Sequence, residues 1–300
     1  MRIRALILIL AVATPLVAQQ PTKLVADPAN NCEDCAAWNA PQEPFKLFGN
    51  SYYVGTAGLS SVLVTSPDGL ILLDGALPQS APLIDQHIRA LGFDTLKIRI
   101  IANSHAHYDH AGGINALQRA TGATVAASPQ GKQALELGNS TPDDPQVGFG
   151  PKAMAFPPVR NVKVVADNEV VRVGPIAITA HYTPGHTPGA ITWSWQSCEG
   201  AKCVNLVYAD SLSAVSAPGF TFTSDPKRVE AFRKSIATVE ALPCDVLITV
   251  HPQFVNLPKK LAARKDPSDT APFIDAGSCK AFAASVRKGL ETRIADEQKK

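Results

Sequence analysis

Hydrophobic and polar positions alternate in short runs along most of the chain, and only a few stretches repeat at helical spacing. From Phe48 to Ala76, FGNSYYVGTAGLSSVLVTSPDGLILLDGA mixes β-branched and aromatic residues with turn signals, chief among them Ser66-Pro67-Asp68-Gly69. The pattern predicts antiparallel strands. In SAPLIDQHIRALGF, Leu83, Ile84, Ile88 and Leu91 fall at helical spacing, and LKIRIIANS follows as an apolar strand. A strand, helix, strand step is implied. Gly112-Gly113 then opens a short helix through Arg119, and ATVAAS reads as another strand. His87 lies within the first helix and, as an isolated polar histidine, is read as a solvated surface residue.

Between Leu137 and Pro158 the pattern lapses into Pro, Gly, Asn and Asp, which predicts a long surface loop of the kind that covers a site. The second half then returns to the style of the first. VKVVADNEVVRVGPIAITAHY, AITWSWQ and VNLVYAD read as strands, with Trp193 and Trp195 on one face and assigned to the core. A helix from Pro226 to Leu242 is capped by Asp225, with Pro at its first position. DVLITV is one more strand, ending at His251, and a last helix begins near Ser278. Strand-rich halves followed by helices, with no linker between them, predict an α/β class: a four-layer sandwich of two packed mixed sheets with helices on the outer faces.

Composition narrows the function classes. Of 300 residues, 45% are hydrophobic and 18% charged, enough for a large core. The net charge of +2, with no basic run interleaved with aromatics, argues against a nucleic-acid partner. The N-terminus, MRIRALILILAVATPLVAQQ, has Arg2 and Arg4, an apolar run from Ala5 to Val12 and a small-residue site ending at Ala18. It predicts a signal peptide over 1–18 and one domain over 19–300, exported to the periplasm and not membrane-bound after cleavage. The run is too short for a spanning helix, which needs about 20 residues.

Export makes disulfides the first reading of the six cysteines. Cys198 and Cys203 bracket EGAK between two strand-like runs, so a bridge across a hairpin tip is easy. Cys244 and Cys279 would then tie a late strand to the last helix. Cys32 and Cys35 form a lone CxxC, open to three readings: zinc half-site, redox pair or tight structural bridge, with export favouring the bridge.

The chemistry concentrates in Asn103-Ser104-His105-Ala106-His107-Tyr108-Asp109-His110-Ala111-Gly112-Gly113, directly after an apolar strand. His105 and His107 alternate along an extended segment and can face one ion, while Asp109 and His110 at the following turn can face a second. Imidazole and carboxylate donors suit zinc. His186, in TPGHTPG, and His251, at a strand end, complete the count. His181, on the strand before His186, is assigned to structure, with a supporting place behind the ligands as the lesser reading.

In this order, HAHYDHAGG, TPGHTPG, VYADSLSA and LPCDVLITVHP resemble the metallo-β-lactamases, and specifically subclass B3. The resemblance runs from GNSYYVGT to the Cys279 region. It implies two Zn²⁺ ions, one held by His105, His107 and His186 and the other by Asp109, His110 and His251. Ser211, with Ser213, matches residues that contact the substrate carboxylate or a zinc-bound water, and Cys244 to Cys279 matches a family bridge. Two ions carrying +4 would ionise a shared water near neutral pH. The implied activity is attack of that hydroxide on the β-lactam amide of penicillins, cephalosporins and carbapenems by a monomer, with Asp109 orienting the water.

A rival on the same fold is a glyoxalase-II-type thioesterase or a lactonase, because fold does not fix substrate. In those relatives an Asp bridges both metals, and Asp210 stands at a similar place. A noncatalytic zinc-binding protein is a weaker rival, since two three-ligand sites leave coordination open.

Overall fold

The computed structural model describes residues 24–299, so the export segment read at 1–18 lies outside the described residues. The first sheet has seven strands in the order β1 to β7: Phe45–Phe48, Ser51–Tyr53, Val62–Ser66, Gly69–Leu73, Ile98–Ala102, Thr124–Ala127 and Val162–Val164. Its first four strands pair antiparallel, with the Ser66 to Gly69 turn closing β3 onto β4, and the rest are parallel. The second sheet runs β12-β11-β10-β9-β8. These strands are β8 (Val170–Val173), β9 (Ile176–Tyr182), β10 (Ile191–Glu199), β11 (Lys202–Ala209) and β12 (Val246–Thr249).

The helices, in chain order, are α1 (Cys35–Trp38), α2 (Ala81–Ala90), α3 (Tyr108–Ala111), α4 (Ile114–Thr121), α5 (Pro129–Leu137), α6 (Pro226–Ala241), α7 (Leu257–Ala262) and α8 (Ser278–Glu297). No helix among the described residues is long and apolar enough to cross a membrane.

Two-residue periodicity explains the layering. On β3 and β4, Val62, Val64, Ile71 and Leu73 join the cluster between the sheets, which includes Trp193 and Trp195. Their neighbours Leu63, Leu70 and Leu72 face the other way, onto Ile84 and Ile88 of α2 and Ile114 and Leu117 of α4. The strands are therefore apolar on both faces, as a sheet covered on both sides requires. The expected four-layer sandwich is the observed fold.

Three local readings change. Val162–Val164 pairs parallel with β6, so this piece of the second half belongs to the first sheet. Helix α5 interrupts what the sequence reading left between ATVAAS and the loop. Its signal was present: Ser128 caps it by accepting from Gly131 N, and Pro129 is its first residue. His87 is buried, and its Nδ1 donates to the Val54 carbonyl at 2.9 Å. Positions 84, 87, 88 and 91 form one helical stripe, so His87 points inward, and the carbonyl satisfies it there.

Disulfides join Cys32 to Cys35, Cys198 to Cys203 and Cys244 to Cys279. The second closes the β10–β11 tip, where Cys198 and Cys203 are directly opposed in register. The third ties the start of α8 to the residues leading into β12.

Candidate metal centre

The histidine-rich segment leaves the C-terminal end of β5 and is pinned from below and behind. Asp74, at the end of β4, accepts from Ser104 N at 2.7 Å, from Asn103 Nδ2 at 3.0 Å and from Tyr208 Oη at 3.0 Å, and it also contacts Ser104 Oγ. Asn103 in turn donates to the His105 carbonyl at 2.8 Å, and Trp193 of the second sheet donates to the Asn103 carbonyl at 3.1 Å. Burial pushes the Asp74 carboxyl up to about 7, against these donors. Asp74 and Ala76 hold φ of 56° and 55°, a left-handed geometry costing about 1–3 kcal/mol each in non-glycine residues. The strain lets the β4 end pass close under α3 and α4. Gly113 completes that approach, because a Cβ there would lie 2.2 Å from the Gly75 carbonyl oxygen.

The second sheet supplies the other ligand candidates. In TPGHTPG, Gly185 sits on the Phe232 ring of α6, where a Cβ would meet the ring at 2.4 Å. This close seat fixes the turn carrying His186. His251 follows β12, its Nδ1 donating to the Gly58 carbonyl at 3.3 Å, with the Trp38 ring 5.4 Å and the Phe254 ring 5.5 Å away.

These elements bring two groups of three together: His105, His107 and His186, and Asp109, His110 and His251. Within each group the potential ligand atoms lie within 4.8 Å of one another. The groups adjoin, with ring centroids of His105 and His110 4.4 Å apart. Five of the six side chains are buried and His251 is nearly so.

In the three-histidine group, the outward nitrogen of each ring meets a polar neighbour. His105 Nδ1 lies 2.6 Å from Asp210 Oδ1, without the alignment of a straight hydrogen bond. His107 Nε2 donates to Asp144 at 3.1 Å. His186 Nδ1 is 3.0 Å from the Ser213 carbonyl and 3.1 Å from Ser213 Oγ. The opposite nitrogen of His105, Nε2, is buried with no partner, and His110 turns Nε2 to Asp109 at 3.1 Å. A buried polar atom without a partner is costly, and a divalent cation would satisfy His105 Nε2.

Electrostatics favour the ligating forms. His186 is pushed down to about 3, first by burial and then by His105 and His107. Burial and the neighbouring imidazoles likewise hold His105 well below its ordinary value, and burial lowers His110. Burial pushes the Asp109 carboxyl up, but His110 and His251 outweigh it and hold it well below the usual range. His107 is the exception: burial lowers it, but Asp144 and then Asp109 outweigh that and raise it. Neutral imidazoles and an ionised carboxylate are the donor set a zinc ion takes.

The remaining expectations divide. Ser211 is buried beside Asp210, and Ser213 stands behind His186. Leu212 between them holds φ 46°. Asp210 faces His105 Nδ1 and stands outside both ligand groups. His181 bonds Ser194 at 2.8 Å and Asn168 at 3.2 Å and stays outside both groups, as a structural assignment requires. Loop 138–158 is not wholly superficial: Ser140, Thr141, Asp144, Met154 and Phe156 are buried. Asp144 and Asp74 were not anticipated as parts of the site. An Asp in a turn-rich stretch looks like any other turn former until the fold sets it against a histidine.

Residues 54–197 match the model of the metallo-β-lactamase superfamily. Against solved structures, the chain is 49% identical to the Rm3 metallo-β-lactamase, covering 90% of this chain and 100% of that one with a TM-score of 0.86. The chain belongs to the metallo-β-lactamase superfamily. A second neighbour is MEM-A1, a subclass B3 metallo-β-lactamase from a soil metagenome library, at 48% identity, TM-score 0.83, and 87% and 98% coverage. At that identity over nearly the whole fold, the chain falls within subclass B3. Among curated sequences it is 25% identical over 221 residues to a hydroxyacylglutathione hydrolase of Cereibacter sphaeroides (strain ATCC 17025 / ATH 2.4.3), covering 74% of this chain and 72% of that protein.

Proposed function

We propose that the protein is an exported, zinc-dependent β-lactamase that opens the β-lactam amide of penicillins, cephalosporins and carbapenems and so confers antibiotic resistance. The observation that carries this reading is the pair of adjoining three-ligand groups in a chain similar over its length to subclass B3 enzymes. His105, His107 and His186 would hold one zinc, and Asp109, His110 and His251 the other. Bound zinc supplies Lewis acidity toward a carbonyl oxygen and ionises water near neutral pH.

The chain's own residues do the rest. Asp210, Asp144 and Ser213 hold three ligand histidines in fixed ring orientations, as partners behind a metal site do. Asp109, ionised and against His110 and His251, orients the attacking water as well as ligating. Ser211 and Ser213 would contact the carboxylate beside the lactam nitrogen. Trp38 and Phe254 flank His251 with apolar surface. Export at the 1–18 segment to the periplasm is supported by three disulfides among the described residues, which persist in oxidising compartments. The enzyme is read as a monomer.

The thioesterase reading is the weaker one, because Asp210, the residue that would bridge two metals in that pattern, contacts His105 Nδ1 and is in neither three-ligand group. The experiment is a side-by-side assay of zinc-loaded protein on a penicillin, a carbapenem and a glutathione thioester. Turnover of the two lactams supports the proposal; rapid thioester cleavage with both lactams intact overturns it.

A further inference from the structure

Loop 138–158 meets the histidine cluster through one buried carboxylate. Asp144, its side chain 5% exposed, sets both oxygens toward His107 Nε2, at 3.1 and 3.3 Å. Its Oδ1 also accepts from Gln146 N at 2.7 Å, its amide donates to the Thr141 carbonyl, and its carbonyl accepts from Val147 N. The loop is thus wound around Asp144, and the winding sets Gln146 Nε2 3.4 Å from His186 Nε2. Two contacts hold the flanks: Ala217 N donates to the Pro145 carbonyl, and Arg228 Nη1 donates to the Asp143 carbonyl at 2.9 Å.

An ionised carboxylate only accepts, so the proton of His107 sits on Nε2 and the lone pair is left on Nδ1. The same contact that orders the loop therefore selects the ligating tautomer of a metal-site histidine. We propose that Asp144 is a positioning residue that couples metal binding at the three-histidine group to the ordering of loop 138–158, and with it the placement of Gln146 beside His186. The inference rests on the reading of His105, His107 and His186 as metal ligands. Coupling of this kind is reciprocal: the factor by which Asp144 raises zinc affinity is the factor by which zinc favours the ordered loop.

The test uses the full-length metal-free protein, titrated with zinc against a chromophoric chelator, with hydrogen exchange of the Gln146 and Val147 amides followed with and without zinc. In the wild type, zinc slows exchange at both amides. Asp144→Ala lowers the affinity for one of two zinc equivalents by about 10- to 100-fold and removes the zinc-dependent slowing. Asp144→Asn keeps an acceptor oxygen for His107 and Gln146 and falls between the two. If Asp144 only braces the loop, the variants speed exchange equally with and without zinc and leave zinc affinity unchanged, which overturns the proposal. Wild-type protein that binds zinc with no change in exchange also overturns it, while leaving the ligand assignment intact. Protein that binds no zinc overturns both.

Discussion

Asp210→Asn separates the two hydrolase readings of this fold. Asp210 and His105 are both fully buried, with Oδ1 2.6 Å from Nδ1, so the carboxylate acts on the imidazole at short range. Burial pushes the Asp210 carboxyl up, opposed by His186 and by the Ser211 and Leu212 amides. Asparagine keeps the shape and loses the charge that polarises the ring. Loss of such a partner costs about 10- to 100-fold in metal affinity, which is roughly 1.4–2.8 kcal/mol. The loss should fall on the group containing His105 and spare the group of Asp109, His110 and His251. Zinc competition on the metal-free protein would therefore show one equivalent weakened and one unchanged. Were Asp210 a bridging ligand, both equivalents would weaken together, and the argument from the 2.6 Å contact would be refuted.

Other perturbations reach different parts of the account. His110→Ala should lower zinc content from two ions to one, read by elemental analysis, with the three-histidine group still loaded. Replacing both Cys244 and Cys279 with Ala removes a bridge spanning 35 residues, worth about 4 kcal/mol by chain entropy, and should lower Tm by roughly 6–8 °C in calorimetry. Glu297 accepts from the Phe222 and Thr223 amides and from Arg293, and although burial pushes its carboxyl up, these donors bring it down to about 2. Because its folded value is depressed, its contribution is complete above about pH 4.5 and fades as pH falls toward 2. Glu297→Gln should therefore lower Tm at pH 7 and match the wild type near pH 2.

Much of this site could be read from the residues because its ligand candidates are contiguous or sit in rigid local contexts. His105, His107, Asp109 and His110 fall within six positions, and His186 is framed by two Thr-Pro-Gly units. The continuous apolar runs at 62–64 and 70–73 likewise carried the sheet, since each strand buries both faces. Side chains whose meaning depends on distant neighbours stayed hidden. Asp144 meets His107 across 37 residues, and Asp74 meets Tyr208 across 134. His87 differs from its reading for a related reason: polarity alone suggests solvent, while its place on the 84, 87, 88, 91 stripe and the Val54 carbonyl set it inside. The left-handed φ of Asp74, Ala76 and Leu212 has no local signal, because the surrounding packing imposes it.

If the six ligand candidates bind zinc and the loaded protein hydrolyses β-lactams, metal content and turnover rise together. This is tested most directly by titrating zinc into the chelator-stripped protein while recording carbapenem hydrolysis and bound metal on the same samples. The expected result is no turnover without metal, and turnover that rises with zinc content up to two ions per chain. Carbapenem hydrolysis that persists in the stripped protein, or its absence at full zinc occupancy, would contradict the account.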